Sequence, residues 1–241
     1  MRALLLKGEP AAEEDALDDF AAAMCALGVN AQRVPVMRSV PLNADESRRI
    51  AMQLSDSIVL LTSPKCVRYL AAATDGIEWP VGMTAYVVGP GTAAAVHKSF
   101  PGWATTGADA GSGSVLAVRI AADWQRGAIP RVWFPCAAQR RPELVAAMTR
   151  EGIPFIETHL YDTVVIEEHA MAALSSLKKG DWAVLFSPSA ASRLARHIPG
   201  EVRVAAIGES TATALRDAGR TPDAVAAHPT PHSLAEAIGF L

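Results

Sequence analysis

The chain has 241 residues, half of them apolar and 20% charged, with a formal net charge of −3. This is the composition of an ordinary globular protein, long enough to bury a core without staples. It excludes a nucleic-acid footprint, because Lys and Arg form no dense cluster, and a membrane span, because no stretch approaches ~20 apolar residues.

The first strand is expected at 2–6 (RALLL). Its apolar run is too short for a signal peptide, so a cytoplasmic protein is expected. A helix follows at 14–27, with Pro10 and the acidic run Glu13, Glu14, Asp15, Asp18, Asp19 at its start. Those carboxylates complement the positive helix end and are read that way rather than as a metal site. RVPVMRSV then runs extended. Strand–helix pairs follow at 57–62 with 65–73, 84–88 with 92–98, and 131–134 with 143–150. THLYDTVV is a second extended segment. Two more pairs close the chain, 182–186 with 189–196 and 202–207 with 211–218. Alternation of this kind predicts α/β architecture with parallel sheets, and continuous apolar strands predict burial on both faces.

The segments repeat. LLTSPKCVRYL (60–70) matches VLFSPSAASRLA (184–195), VVGPGTAAAV (87–96) matches AIGESTATAL (206–215), and GSVLAVRIA (113–121) resembles HSLAEAI (232–238). The remaining pair is out of order: the segment beginning VWFPCAAQRRPEL closes the first copy, and its counterpart, beginning LLLKGEP, opens the chain. The second copy is therefore completed by the N-terminus. One domain is expected over 1–36 plus 166–241 and the other over 40–160. The chain should cross at 34–40 and 158–166 as a two-stranded antiparallel hinge, with a ligand cleft between the domains.

Four strand-to-helix turns carry Ser, Thr and Gly: Thr62-Ser63-Pro64, Gly89-Pro90-Gly91-Thr92, Ser187-Pro188-Ser189 and Gly208-Glu209-Ser210-Thr211. Such turns lie at the carboxyl ends of the strands, where helix ends favour anions. They also suit plain N-capping, and both readings stay open. Gly89-x-Gly91 lacks the third glycine of a dinucleotide fingerprint, and there is no P-loop or nucleophile elbow. His228 and His232 are separated by Pro229 and Pro231, which deny them a common helix face. Cys25, Cys66 and Cys136 have no metal-like spacing; the odd, sparse set points to a reducing compartment, and each is expected as a small core residue.

Taken together, TSPKCVRYL, VVGPGTAAAV, FPCAAQRRPEL, Tyr161-x-Thr163, FSPSA, AIGESTATAL and PTPHSLAEAI resemble, in that order, the uroporphyrinogen-III synthase family. The resemblance implies two flavodoxin-like or Rossmann-like domains joined by a β-ladder. It implies cyclisation of hydroxymethylbilane to uroporphyrinogen III with ring D inverted and water lost, in heme biosynthesis, with no metal and no organic cofactor. By motif match it places substrate binding on Thr62, Ser63, Lys65, Thr92, Arg141, Ser187, Ser189, Ser210 and Thr211. It brings Tyr161 to the cleft, as a hydrogen-bond donor to the departing hydroxyl or as a packing residue at the hinge. A monomer acting on a small molecule is expected; transient contact with hydroxymethylbilane synthase stays open. From pattern alone, a non-catalytic two-domain module binding a tetrapyrrole or another anion, or a structural protein with an empty cleft, also stays open.

Overall fold

The computed structural model describes residues 1–9, 18–54, 58–129 and 131–239. β1 (Arg2–Leu6), α1 (Asp19–Ala26) and β2 (Asn30–Val34) open the chain. β3 (Met37–Pro41), α2 (Ala44–Met52), β4 (Ile58–Leu61), α3 (Pro64–Ala73), β5 (Thr84–Val87), α4 (Pro90–Ser99), β6 (Ala104–Thr106) and α5 (Gly113–Gln125) follow. Next come β7 (Val132–Ala137), α6 (Glu143–Arg150) and the long β8 (Phe155–Val165). The chain then runs through α7 (Glu167–Leu174), β9 (Trp182–Leu185), α8 (Pro188–Leu194), β10 (Arg203–Ala206), α9 (Glu209–Asp217), β11 (Ala224–Val225) and α10 (Pro231–Ala237). Contacts divide it into two compact units, Met1–Ser39 with Val164–Leu241, and Val40–Thr163.

In the first unit a parallel five-stranded sheet has the order β11-β10-β9-β1-β2. Counted along that unit the order is 2-1-3-4-5, the flavodoxin-like arrangement. β1 lies between β2 and β9 and is buried on both faces. Leu4 and Leu6 join the core cluster containing Leu185 and Leu194, while Ala3 and Leu5 join the one containing Met24 and Trp182. Each such leucine contributes roughly 1.5–3 kcal/mol on leaving water.

In the second unit the order is β3-β8-β7-β4-β5-β6. Starting the count at β7 reproduces 2-1-3-4-5. β7–α6–β8 thus takes the places that β1–α1–β2 take in the first sheet, which is the out-of-order pairing expected from the repeat. β4 again feeds two cores, Val59 and Leu61 on one face, Ile58 and Leu60 on the other. β3 is an extra edge strand. Leu42 N–H donates to Leu160 and Ile166 N–H donates to Val36, so β3 and β8 run antiparallel. The boundary between the units falls inside both strands.

Of the acidic run, Glu13, Glu14 and Asp15 lie outside the described residues. Asp18 caps α1 by accepting from the N–H groups of Phe20 and Ala21 at 3.1 and 3.3 Å. Cys66 and Cys136 are buried as expected, but Cys25 is exposed. In α1 the core-facing residue is Met24, and a 100° step carries the next side chain off that stripe.

Candidate functional site

In an open parallel sheet, ligands lie outside the carboxyl ends of the strands where the strand order reverses. In the second unit that place is between β7 and β4. A cavity of about 380 Å³ lies there. Its wall includes Thr62 and Ser63 after β4, Val88 after β5, Ser112 and Ser114 at the start of α5, Gln139, Arg140 and Arg141 after β7, and Tyr161 on β8. A larger cavity of about 490 Å³ lies at the amino ends of β5 and β6, beside Trp79, Phe100 and Trp103. Among the described residues its only charged lining residue is Asp75, and none of them offers a polyanion a cation there. The chemistry favours the smaller cavity.

Ser63 starts α3 in extended backbone, followed by Pro64. Its Oγ accepts from Cys66 N–H at 3.2 Å and donates to Cys66 Sγ at 3.2 Å. The hydroxyl is engaged in capping, and the turn presents the helix end to the cavity beside it. Lys65 lies with Nζ 5.6 Å from the centre of the Tyr161 ring. Arg141 is exposed on the cavity wall.

Tyr161 owes its position to a bulge. β7 and β8 pair Cys136 with His159, then Ala137 with Tyr161, skipping Leu160. Strand alternation would send Leu160 and Tyr161 to opposite faces; the bulge turns both into one core cluster. The Tyr161 ring stacks on Tyr69 at 4.6 Å and is 7% exposed, at the cavity wall. It therefore both packs and faces the cavity.

Thr92 lies deeper than the cavity wall. It is 2% exposed, and its Oγ1 donates to the Val88 carbonyl at 2.8 Å. Its repeat partner Thr211 is also buried. At the third position of each helix, the inward stripe takes these side chains into the core. In the first unit, Ser187 caps α8 by accepting from Ala190 N–H at 3.2 Å, and its Oγ lies 3.3 Å from that of Ser189. Ser210 is exposed in the first turn of α9. Thus Thr62, Ser63, Arg141 and Tyr161 share one cavity, with Lys65 against the tyrosine ring. Thr92 lies in the core beneath, and Ser187, Ser189, Ser210 and Thr211 belong to the other unit.

Sequence reasoning passed over Arg140. Its Nε and Nη2 donate to the two Glu157 oxygens at 2.8 and 2.6 Å, and His159 Nε2 lies 2.8 Å from Glu157 Oε1. The Arg140 fork holds the Glu157 carboxyl below its ordinary range. Burial, reinforced by the Glu157 charge, pushes the Cys136 thiol up to about 12, so it is no ready nucleophile. Ligand atoms of Cys136, Glu157 and His159 lie within 4.8 Å of one another. With Arg140 already on both carboxylate oxygens, this group reads as an ion-pair network. The tandem arginines were visible in the sequence; which one meets a carboxylate depended on Glu157, seventeen residues away.

A family model described as uroporphyrinogen-III synthase HemD matches residues 18–236. The uroporphyrinogen-III synthase of Saccharomyces cerevisiae is 31% identical over 173 residues, covering 64% of this chain and 63% of the yeast protein. The chain therefore matches less than two thirds of that curated relative's length. The structure of uroporphyrinogen-III synthetase from Helicobacter pylori 26695 aligns with a TM-score of 0.60 at 14% identity, covering 98% of this chain and 97% of that one. A mutant uroporphyrinogen III synthase from the extremely thermophilic bacterium Thermus thermophilus aligns with a TM-score of 0.51 at 19% identity, covering 98% and 96%. At such identities the two structures speak for the fold. With the family model spanning nearly all of its length, the chain belongs to the uroporphyrinogen-III synthase HemD family.

Proposed function

We propose that the chain is a uroporphyrinogen-III synthase, which dehydrates hydroxymethylbilane and closes it to uroporphyrinogen III with ring D inverted. The observation that carries this reading is the cavity at the β7/β4 switch point, with Tyr161 and two arginines on its wall, in a chain of this family. The substrate has eight carboxylates and the protein a net charge of −3, so general attraction works against binding. The carboxylates must be met locally. Arg140, Arg141 and Lys65 supply charge; the starts of α3 and α5 supply helix ends, each worth roughly 0.3–1 kcal/mol. Thr62 and Ser63 add hydroxyls on the cavity wall, and Thr92, Ser187, Ser189, Ser210 and Thr211 are taken as substrate-binding positions on the motif match alone.

Loss of the terminal hydroxyl gives an electron-poor azafulvene. Attack by the substituted α-carbon of ring D gives a spiro intermediate, which fragments and recloses with that ring reversed. Water is the only group lost, so no oxidant or reductant is called for. The enzyme's work is to hold a flexible chain in one near-attack geometry. Tyr161 donates a hydrogen bond to the departing hydroxyl. The same reading takes a monomer in the cytoplasm, in transient contact with hydroxymethylbilane synthase.

The test is the isomer formed. Hydroxymethylbilane closes unaided to the type I isomer; with this protein, and without added metal or nucleotide, type III should dominate. Type I alone, or a strict need for a chelatable metal, would overturn the assignment. Tetrapyrrole binding with the isomer outcome unchanged would favour a non-catalytic binding module.

A further inference from the structure

We infer that Arg140 is a carboxylate-binding side chain of the β7/β4 cavity and that Glu157 is the residue that positions it; this rests on the tetrapyrrole reading above. Arg140 follows the end of β7 and lines the cavity. Its fork on Glu157 uses Nε and Nη2. A guanidinium has five N–H donors in a rigid plane, so even with Arg140 also facing the Cys136 sulfur the fork on Glu157 leaves donors for a second carboxylate. Arg141 beside it adds a second cation, with Glu143 on the same wall.

The depth of the pair separates this role from a purely structural one. The Arg140 and Glu157 side chains keep 24% and 20% of their exposure. Ion pairs that reach solvent add little to stability. Holding a long side chain in its binding pose acts on affinity directly, because its torsions need not be frozen when the ligand arrives. Glu157 is itself fixed from two sides, since His159 Nε2 contacts the same Oε1 atom at 2.8 Å. Glu157 and His159 sit on one strand, β8, two residues apart and hence on one face. The strand that carries Tyr161 thus also orients the arginine.

Three variants of the full chain test this: Arg140→Lys, which keeps the charge and loses the fork, Glu157→Gln, and the double variant. Affinity is read by fluorescence titration with uroporphyrin III, a stable octacarboxylate, and KM and kcat with hydroxymethylbilane. Thermal melts establish that each variant is folded; should Arg140→Lys not fold, Glu157→Gln with Arg140→Met takes its place. Arg140→Lys should weaken uroporphyrin binding and raise KM roughly tenfold, and Glu157→Gln roughly threefold, with kcat nearly unchanged. Because Glu157 acts through Arg140, the double variant should be no worse than Arg140→Lys. Unchanged binding in both single variants, a loss confined to kcat, or losses that simply add would overturn the inference. Production of type I isomer by the wild type would instead defeat the synthase reading, while the uroporphyrin titrations still judge Arg140.

Discussion

Ser63 and Ser187 use their hydroxyls to cap helices, and Thr92 uses its hydroxyl on the Val88 carbonyl. Their replacement should therefore register first in stability. We expect Ser63→Ala to cost roughly 0.5–2 kcal/mol, as loss of an N-cap does. Tyr161→Phe is different, because the ring still stacks on Tyr69 and the fold should hold. A proton donor is typically worth about 10²–10⁴ in rate. The low end is expected here, since water can partly replace the phenol. Thr62→Ala and Thr211→Ala should each cost less. Rates are to be compared at matched thermal stability, since packing residues act through folding. Full activity in Tyr161→Phe beside an inactive, folded Ser or Thr variant would shift the chemistry onto that hydroxyl. Glu157 gives a pH prediction. Arg140 lowers its folded pKa below the usual 4.5, so its stabilisation is present above the unfolded value and lost as pH falls through the folded one. The melting temperatures of wild type and Glu157→Gln should differ slightly at about pH 6 and converge as pH falls well below 4.5. A gap that does not change with pH would mean the pair is not formed in solution.

Elements here are shaped by close approaches that propensity does not encode. Gly107 has φ +89°, and an added Cβ would come 2.4 Å from Leu116 Cδ1 and 2.9 Å from the Val87 carbonyl oxygen. The leucine can move; the backbone oxygen of β5 cannot do so without disturbing the sheet. Gly111 has φ +67° with nothing within 4 Å of its added Cβ. Gly111→Ala should cost only the left-handed penalty of about 1–2 kcal/mol. Gly107→Ala should cost a further 1–3 kcal/mol or so for overpacking. Urea unfolding measures the difference, and equal losses would show that the chain relaxes around Gly107. The segment 107–114 is held in other ways too, by the Arg119–Asp109 fork at 2.7 and 2.9 Å and by the Ser112 cap of α5. α2 and α7 were legible but passed over: each opens with paired acids, Asp45-Glu46 and Glu167-Glu168, in its first turn.

For the whole molecule, the consequence lies in β1. It is an interior strand of the five-stranded sheet, so its loss would strip β9 and β2 of a partner and open both cores. We expect deletion of residues 1–36 to unfold the C-terminal half, while fragment 40–160 stays closer to folded. Circular dichroism and limited proteolysis of the fragments measure this. A fragment 166–241 that folds alone with native-like stability would refute it. The sequence by itself determined the α/β class, the parallel strands buried on both faces and the out-of-order repeat. Those rest on side-chain period and turn residues, which are set within a few positions along the chain. Only the tertiary structure decided that Leu160 and Tyr161 turn to the same core, that Thr92 and Thr211 are buried, that Cys25 is not, and that Glu157 takes Arg140 rather than Arg141. Each of these depends on strand register or on which helix face meets the sheet. Those are relations between segments far apart in the chain, settled when the layers pack and not by any local pattern.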